Sequence, residues 1–407
     1  MSKQFKVGII GGGIGGVALA SALSQRGVEV HLFERAAAFG EVGAGIQVTP
    51  NAVKVLDALG AHEELERIGF LPEALVGRDW RDAEEKFRIP LKDECPQRYG
   101  AEFFHVHRAD LHHLLTDLLG NTKVSFNAQC TDVSQTAEKA VAQFADGSVF
   151  EADLIVGADG VRSEVRRSLF GEENPRYTGN MCYRAVVPVD GVVDYVAPEA
   201  SFWLGPHSHI VTYYVSGGKA VNIVAVNESD DWVEESWNVQ SSRESMLKDF
   251  AGWHPNITRL FEQVQEVYRW GLFDRDPMPT WSKGRVTLLG DAAHPMLPFL
   301  SQGAAMAIED AYVLAKSLAA VHPENLAQAL RLYEEERLPR TSRVQLEARE
   351  RGRTYHLSDE EKAKRDEEYR RQQQIDPHAG ELKLIGYMLI TLLIFSQQKK
   401  QLDVLAI

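Results

Sequence analysis

Cysteine is scarce: Cys95, Cys130 and Cys182 are the only three in 407 residues, and they lie far apart. No CxxC pair and no spacing suited to metal ligands occurs. This excludes a disulfide framework, predicts no bound metal and places the chain in a reducing, cytoplasmic compartment. Positive charge is also in deficit, with 44 Lys and Arg against 58 Asp and Glu and a formal net charge of −14. No nucleic-acid partner is expected, because phosphate binding needs a basic surface. The start, Met1-Ser-Lys-Gln-Phe-Lys, lacks the apolar stretch and cleavage site of a signal peptide and runs directly into a strand-like segment. Long apolar runs are missing with one exception, Leu382 to Phe395 (LKLIGYMLITLLIF). That run is shorter than the roughly 18–20 residues that cross a bilayer, so a docked terminal helix is favoured over membrane or partner contact.

What remains is the composition of an ordinary globular protein, 44% hydrophobic and 25% charged, long enough for one large domain or two intertwined ones. Phe5 to Ile10 (FKVGII) suits a buried parallel strand. A glycine cluster follows, then a helical stretch from Gly15 to Arg26 stopped by Gly27, then a second strand, Val28 to Phe33. The cluster contains GxGxxG at Gly11, Gly13 and Gly16, with Gly15 inside it. Gly11 permits the tight turn, Gly13 lets a pyrophosphate approach the backbone, and Gly16 lets helix and strand pack closely. The helix start then offers free N–H groups to the phosphates. Glu34, closing the second strand, is placed to accept hydrogen bonds from a ribose. Strand, glycines, helix, strand and acid together predict a dinucleotide site.

Ala140 to Phe150 reads as a hairpin turning at Asp146-Gly147, and Asp153 to Gly157 and Arg285 to Gly290 read as further buried strands. Between about Tyr177 and Trp270 the texture changes to alternating, aromatic-rich strands (CYRAVVPV, SFWLG, HIVTYYV, AVNIVAV), which predicts a mostly antiparallel sheet inserted in the first domain. Gln302–His322 and Ala327 to about Tyr355 read as long helices, and Asp359–Gln374 as a charge-rich, solvated one. The expected architecture is α/β: a Rossmann-like domain of residues 1–176 and 271–350, an inserted sheet domain over 177–270, and a helical tail over 351–407. The chain is expected to be a monomer or homodimer.

Two further segments separate FAD from NAD, and they do so by resemblance. Ala158-Asp159-Gly160-Val161-Arg162-Ser163 with Arg166, and Gly290-Asp291-Ala292-Ala293-His294-Pro295, resemble the "DG" and "GD" segments of the class A flavoprotein aromatic-ring monooxygenases, typified by para-hydroxybenzoate hydroxylase. With GxGxxG the three occur in that family's order, and the resemblance covers roughly residues 5 to 350. Phe39-Gly-Glu-Val-Gly-Ala-Gly-Ile-Gln47 is similar to the 3-hydroxybenzoate 6-hydroxylases and salicylate hydroxylases, and the stretch from Trp281 to Asp310 to the 6-hydroxynicotinate 3-monooxygenases. The resemblance implies bound FAD, NADH or NADPH as electron donor, molecular oxygen, and hydroxylation of a small phenolic or hydroxylated heteroaromatic acid through a C4a-hydroperoxyflavin. It also implies that Asp159, Asp291 and Arg108 face the cofactor. Arg35, Gln47, Cys130, Gly303 and Ala304 join them, the last two opening a helix whose N-terminus stabilises negative charge on the reduced flavin.

In His209-Ile-Val-Thr-Tyr213, strand alternation puts His209, Val211 and Tyr213 on one face, with His207 sharing it. The family carries a histidine and a tyrosine at the positions of His209 and Tyr213, contacting the substrate hydroxyl, so these are the expected base or relay and its partner. Gln47, Pro298 and Phe299 complete the expected substrate site, within the wall Met296-Leu297-Pro298-Phe299-Leu300. Phe299 stands where the hydroxynicotinate enzymes have a histidine, Pro298 where the 3-hydroxybenzoate enzymes have a glutamine, and Gln47 replaces a histidine, which together imply a more apolar pocket. Two alternatives keep the cofactor: an epoxidase or oxidase acting on a larger polycyclic or isoprenoid compound, and a flavin-binding sensor without turnover.

Overall fold

The strands that lead into the three glycine-rich turns are neighbours in one parallel sheet. In the computed structural model, which describes residues 5–40, 44–229 and 239–375, Leu154–Gly157 pairs with Lys6–Ile10 on one side and Val286–Leu288 on the other. Glu29–Phe33 and Lys123–Ser125 complete this five-stranded sheet beyond Lys6–Ile10. The apolar run 382–395 and the segment Asp376-Pro377-His378 lie outside the described residues. Val7, Ile9, Leu154, Ile155, Val156, Val286 and Leu288 are fully buried, as strands covered on both faces must be. Helix Ile14–Ser24 packs on this sheet, and helix Gly303–Ala319 packs on that helix and on the turn Gly290–Ala292. A three-stranded antiparallel sheet, Cys130–Gln135, Ala140–Phe144 and Val149–Ala152, also packs on it, with Phe150 lying over Gly8, where a Cβ would come within 2.8 Å of the ring. The hairpin turns where expected, at Gly147 with φ +84°.

The second sheet is wider than the 177–270 segment suggested. Its eight strands run in the order Val239–Ser241, Val267–Asp274, Arg176–Pro188, Ala220–Glu228, Ser208–Val215, Ala200–Gly205, Ala74–Asp79, Glu85–Pro90. The last two come from the N-terminal part of the chain, and Ala74–Asp79 pairs in parallel with Ala200–Gly205 while every other pairing is antiparallel. Alternation in this early hairpin is interrupted at Gly77, where a Cβ would lie 2.1 Å from Phe87, so its strand pattern is weak in the sequence.

Register divides the sheet into two working faces. Phe202, Val211, Val224 and Arg184 are successive cross-strand partners, as are Leu204, His209, Val226, Cys182 and Trp270. This face turns toward the nucleotide domain. The opposite face, with Trp203, Ile210, Tyr214, Ile223 and Tyr183, packs on helices Arg243–Asp249 and Pro255–Glu262. The long helix Leu326–Tyr355 reaches the first face at its C-terminal end, where Gly352 accommodates the Phe299 ring. The charge-rich helix Asp359–Ile375 is docked along one side rather than solvated all round: Tyr369 is buried edge-on to Phe87, and the buried Asp366 pairs with Lys86 at 3.4 Å. Among the described residues no helix is long and apolar enough to cross a membrane.

Candidate active site

Because the three motif strands are adjacent and parallel, their C-terminal turns meet at one edge, the usual ligand position in such sheets. Gly11 has φ +106°, and a Cβ there would lie 2.3 Å from the Ala158 carbonyl oxygen. A Cβ on Gly16 would lie 2.0 Å from the Gly11 carbonyl oxygen. These two glycines close the turn. Gly13 meets nothing within 4 Å and, with Gly15, lines a cavity that runs from the glycine turn to the antiparallel sheet. Glu34 stands beside the turn, accepting hydrogen bonds from the Gly12 N–H at 2.8 Å and the Ala36 N–H at 2.7 Å.

Ser163 caps helix Glu164–Phe170, accepting from the Arg166 N–H at 2.9 Å, and Asp159 supports the cap by accepting from Ser163 Oγ at 2.5 Å and the Val165 N–H at 3.2 Å. Buried Arg166 then donates to the carbonyls of Ala292 and Ala293 at 3.4 and 3.3 Å, tying the second turn to the third. Asp291 lines the cavity opposite the start of helix Gly303–Ala319, its Oδ1 4.0 Å from where a Gly303 Cβ would stand. Burial pushes its carboxyl above the usual range, opposed by His294 and Arg108. Arg108, Gln47, Gly303 and Ala304 line the same cavity. Glu34, Arg35, Cys130 and Asp159 do not: Arg35 is exposed, and Cys130 is a buried thiol pushed up to about 12 by desolvation.

At the sheet end, His209, Val211, Tyr213, Pro298 and Phe299 line the cavity together, as the alternation predicted for the first three. His207 does not share this face. It sits in the turn with φ +54°, exposed, with Nδ1 2.8 Å from Glu228 Oε2, because the strand begins only at Ser208. His209 is packed between Phe299 (ring centroids 5.3 Å apart) and Tyr355 (5.1 Å), with Nδ1 2.7 Å from His356 Nε2. Desolvation first, then His356, holds the His209 pKa well below its ordinary value, so the ring is neutral. Burial raises the Tyr213 hydroxyl, which therefore stays protonated.

Behind Tyr213, 4.6 Å away between ring centroids, His105 is fully buried with neither ring nitrogen partnered, and desolvation lowers its pKa to about 3. A histidine neutral in the fold but protonated when unfolded costs stability as pH falls below about 6.5, at about 1.4 kcal/mol per pH unit. For His105 that window extends down to about pH 3. Urea midpoints at pH 7, 5.5 and 4.5 are expected to fall, and the His105→Phe chain to fall less steeply by about one proton's worth.

Arg184 and Tyr355 are among the cavity residues that sequence reasoning did not single out. Arg184, on the strand Arg176–Pro188, faces the cavity between apolar Cys182 and Val186, its guanidinium 4.9 Å from the Trp270 ring centre and no carboxylate among the described residues paired with it. An arginine at an inward position of an apolar alternation was the available signal. Tyr355 lines the cavity from a helix end distant in sequence, with no local signal.

The third turn is held by a buried charge network. Asp310 accepts from the Gly290 N–H at 3.1 Å and from Arg337 Nε at 2.7 Å, and contacts His294 Nε2 at 2.5 Å. Its neighbour Glu309 is paired with Arg337 and Arg340 and accepts from Asn51 Nδ2 at 2.6 Å. Helix Gly303–Ala319 is thereby locked to the turn that carries Asp291.

The cavity fits a flavin dinucleotide on two observations. Gly13 leaves open backbone at the helix start, and Gln47, 4% exposed at the cavity wall, has an Nε2 with no hydrogen-bond partner. Residues 4–348 match the FAD binding domain family. The chain belongs to the FAD-binding class A aromatic hydroxylases. It is 41% identical over 355 residues to the 3-amino-4-hydroxybenzoate 2-monooxygenase of Streptomyces platensis, covering 87% of this chain and 89% of that one. It is also 41% identical over 350 residues to the 6-hydroxynicotinate 3-monooxygenase of Bordetella bronchiseptica, covering 85% and 91%. Among solved structures, HpxO of Klebsiella pneumoniae complexed with FAD and uric acid superposes with a TM-score of 0.83 at 28% identity, covering 97% and 98%. This member of the class A hydroxylases is an FAD-dependent aromatic monooxygenase that draws electrons from NAD(P)H.

Proposed function

We propose that this monooxygenase hydroxylates a small phenolic acid held between the flavin and the antiparallel sheet, its hydroxyl at His209 and its carboxylate at Arg184. The observation that carries this reading is Arg184, a cation with no carboxylate partner among the described residues, set among Cys182, Val186, Val224 and Trp270 on the cavity face. Strand spacing and register put its backbone two strands across and two residues along, about 12 Å, from that of His209, a separation that one substituted ring and two side chains can bridge. The 41% identical relatives named for an aminohydroxybenzoate and a hydroxynicotinate support the same class.

In this reading FAD is held by the Gly11–Gly16 turn, by Glu34, Arg108 and Asp291, and by the start of helix Gly303–Ala319 near Gln47. Arg35, Cys130 and Asp159 then act around that site rather than from the cavity wall. When bound, the flavin supplies the electron-transfer and oxygen-activating chemistry. His209 takes the phenol proton, which makes the ring a better nucleophile, and the protonated Tyr213 hydroxyl orients the resulting oxyanion. Pro298 and Phe299 keep water from the reacting edge. Three free, buried cysteines support placement in the cytoplasm.

The test is NADH and NADPH oxidation stimulated by a panel of aminohydroxybenzoates, hydroxybenzoates, hydroxynicotinates and polycyclic phenols, with product quantified. A hydroxylated acid equal to the nicotinamide consumed supports the reading. Coupled turnover confined to polycyclic or isoprenoid compounds would overturn it. Arg184→Met is expected to lower kcat/KM for the acid by roughly 10–10², from loss of a charged hydrogen bond, and to leave its neutral amide analogue little changed.

A further inference from the structure

His209 is the innermost member of a chain of polar groups that leaves the cavity and reaches solvent. His209 Nδ1 lies 2.7 Å from Nε2 of His356, a residue buried at the end of helix Leu326–Tyr355. His356 Nδ1 lies 3.5 Å from Glu228 Oε1. Glu228 ends the strand Ala220–Glu228, its side chain is 47% exposed, and it also meets exposed His207. Phe299 and Tyr355 cover the two buried rings, so the path beside them is apolar.

The acceptor-only carboxylate of Glu228, 3.5 Å from His356 Nδ1, gives this chain a direction. A carboxylate accepts only, so His356 carries its proton on Nδ1, toward Glu228. His356 Nε2 is then an acceptor, and His209 must donate to it from Nδ1. A neutral imidazole with its proton on Nδ1 has a bare Nε2, and His209 Nε2 has no hydrogen-bond partner among the described residues while the ring lines the cavity. Surface Glu228 therefore sets the tautomer that makes the cavity-facing nitrogen a base.

We propose that His209, His356 and Glu228 form a proton relay that carries the substrate's phenolic proton out of the closed cavity. The substrate O–H bond breaks as His209 Nε2 takes its proton. The Nδ1 proton of His209 passes to His356 Nε2, and the Nδ1 proton of His356 passes to the Glu228 carboxylate and on to water. Each ring gains a proton on Nε2 as it loses the one on Nδ1, so no buried imidazolium persists, and the negative charge left on the substrate oxygen is the only net change inside. His356 and Glu228 act through His209 and are positioning residues.

The proposal rests on the phenolic-acid reading, and the experiment separates the two. FAD-loaded enzyme is mixed with 3-amino-4-hydroxybenzoate or 3-hydroxybenzoate in weakly buffered solution containing a pH indicator, with the flavin spectrum followed alongside. In the unaltered chain the flavin spectrum shifts and a proton appears in solution in step with it. In Glu228→Gln and His356→Gln the flavin shift is expected to survive while proton release slows about tenfold or more, with Glu228→Asp restoring part of the rate. A purely structural role would change ligand affinity and not the lag between the two signals. Proton release at the unaltered rate in both Gln chains, or binding without release in the unaltered chain, would overturn the relay. No flavin shift with either acid would overturn the substrate reading beneath it. Because Glu228 is half exposed, its variants fold even where His356→Gln does not.

Discussion

His209→Ala keeps its FAD and loses coupled hydroxylation by about 10²–10⁴, the range for a lost acid–base group. The ring belongs to the sheet end of the cavity, boxed by Phe299, Tyr355 and His356, away from the glycine turn. Flavin retention is therefore expected to be unaffected. With the phenol left protonated, reducing equivalents still drawn from NAD(P)H are expected to emerge as hydrogen peroxide. Tyr213→Phe preserves the ring packed against His105 and removes only the hydroxyl, so a smaller loss is expected with the same retained cofactor. Product per nicotinamide oxidised, measured beside flavin content, checks both. Full coupling in both variants would show that the substrate hydroxyl lies elsewhere.

Asp310→Ala is expected to cost about 3–5 kcal/mol of stability, the range for removing one partner of a buried ion pair. Arg337 is 2% exposed, and Glu309 alone would be left to balance it and Arg340. Asp310 and Glu309 are both held below the usual carboxylate range by Arg337 and, respectively, by His294 and Arg340, despite burial. Asp310 also accepts from the Gly290 N–H, so its loss frees the turn that presents Asp291. Urea unfolding with and without added FAD reads both effects: a lower midpoint, and a smaller upward shift from FAD than the unaltered chain shows. Asp310→Asn, which keeps one acceptor, is expected to fall between the two. A midpoint within 0.5 kcal/mol of the unaltered value, as for an ordinary surface change, would rule out the network's role.

The nucleotide half of the protein was legible because its signals are local. Gly11 and Gly16 are demanded by contacts within the turn itself, and the strands that feed the three motifs are continuous apolar runs. Their convergence could be inferred from resemblance, but its cause, three adjacent parallel strands, needed the topology. The pair His209 and Tyr213 was legible for the same reason, since period-two alternation is a property of one strand. His207 was misplaced because alternation does not say where a strand starts, and His207 itself, at φ +54°, belongs to the turn before Ser208. Arg184, His356 and Asp310 were missed because each gains its meaning from a partner on another element: a sheet face two strands away, a histidine 147 residues distant, a glycine turn 20 residues upstream. The hairpin Ala74–Pro90 joined the second sheet through a parallel pairing that no local pattern announces.

A flavin and an aromatic acid are expected to share one cavity between the parallel sheet and the antiparallel face. Equilibrium titration of the purified chain with FAD, followed by titration of the loaded protein with 3-amino-4-hydroxybenzoate, addresses it directly through the flavin absorbance. One FAD bound per chain and a saturable change in its spectrum on adding the acid, abolished in Arg184→Met, is the expected result. A chain that takes up no FAD, or a loaded flavin whose spectrum is indifferent to every aromatic acid offered, would contradict it.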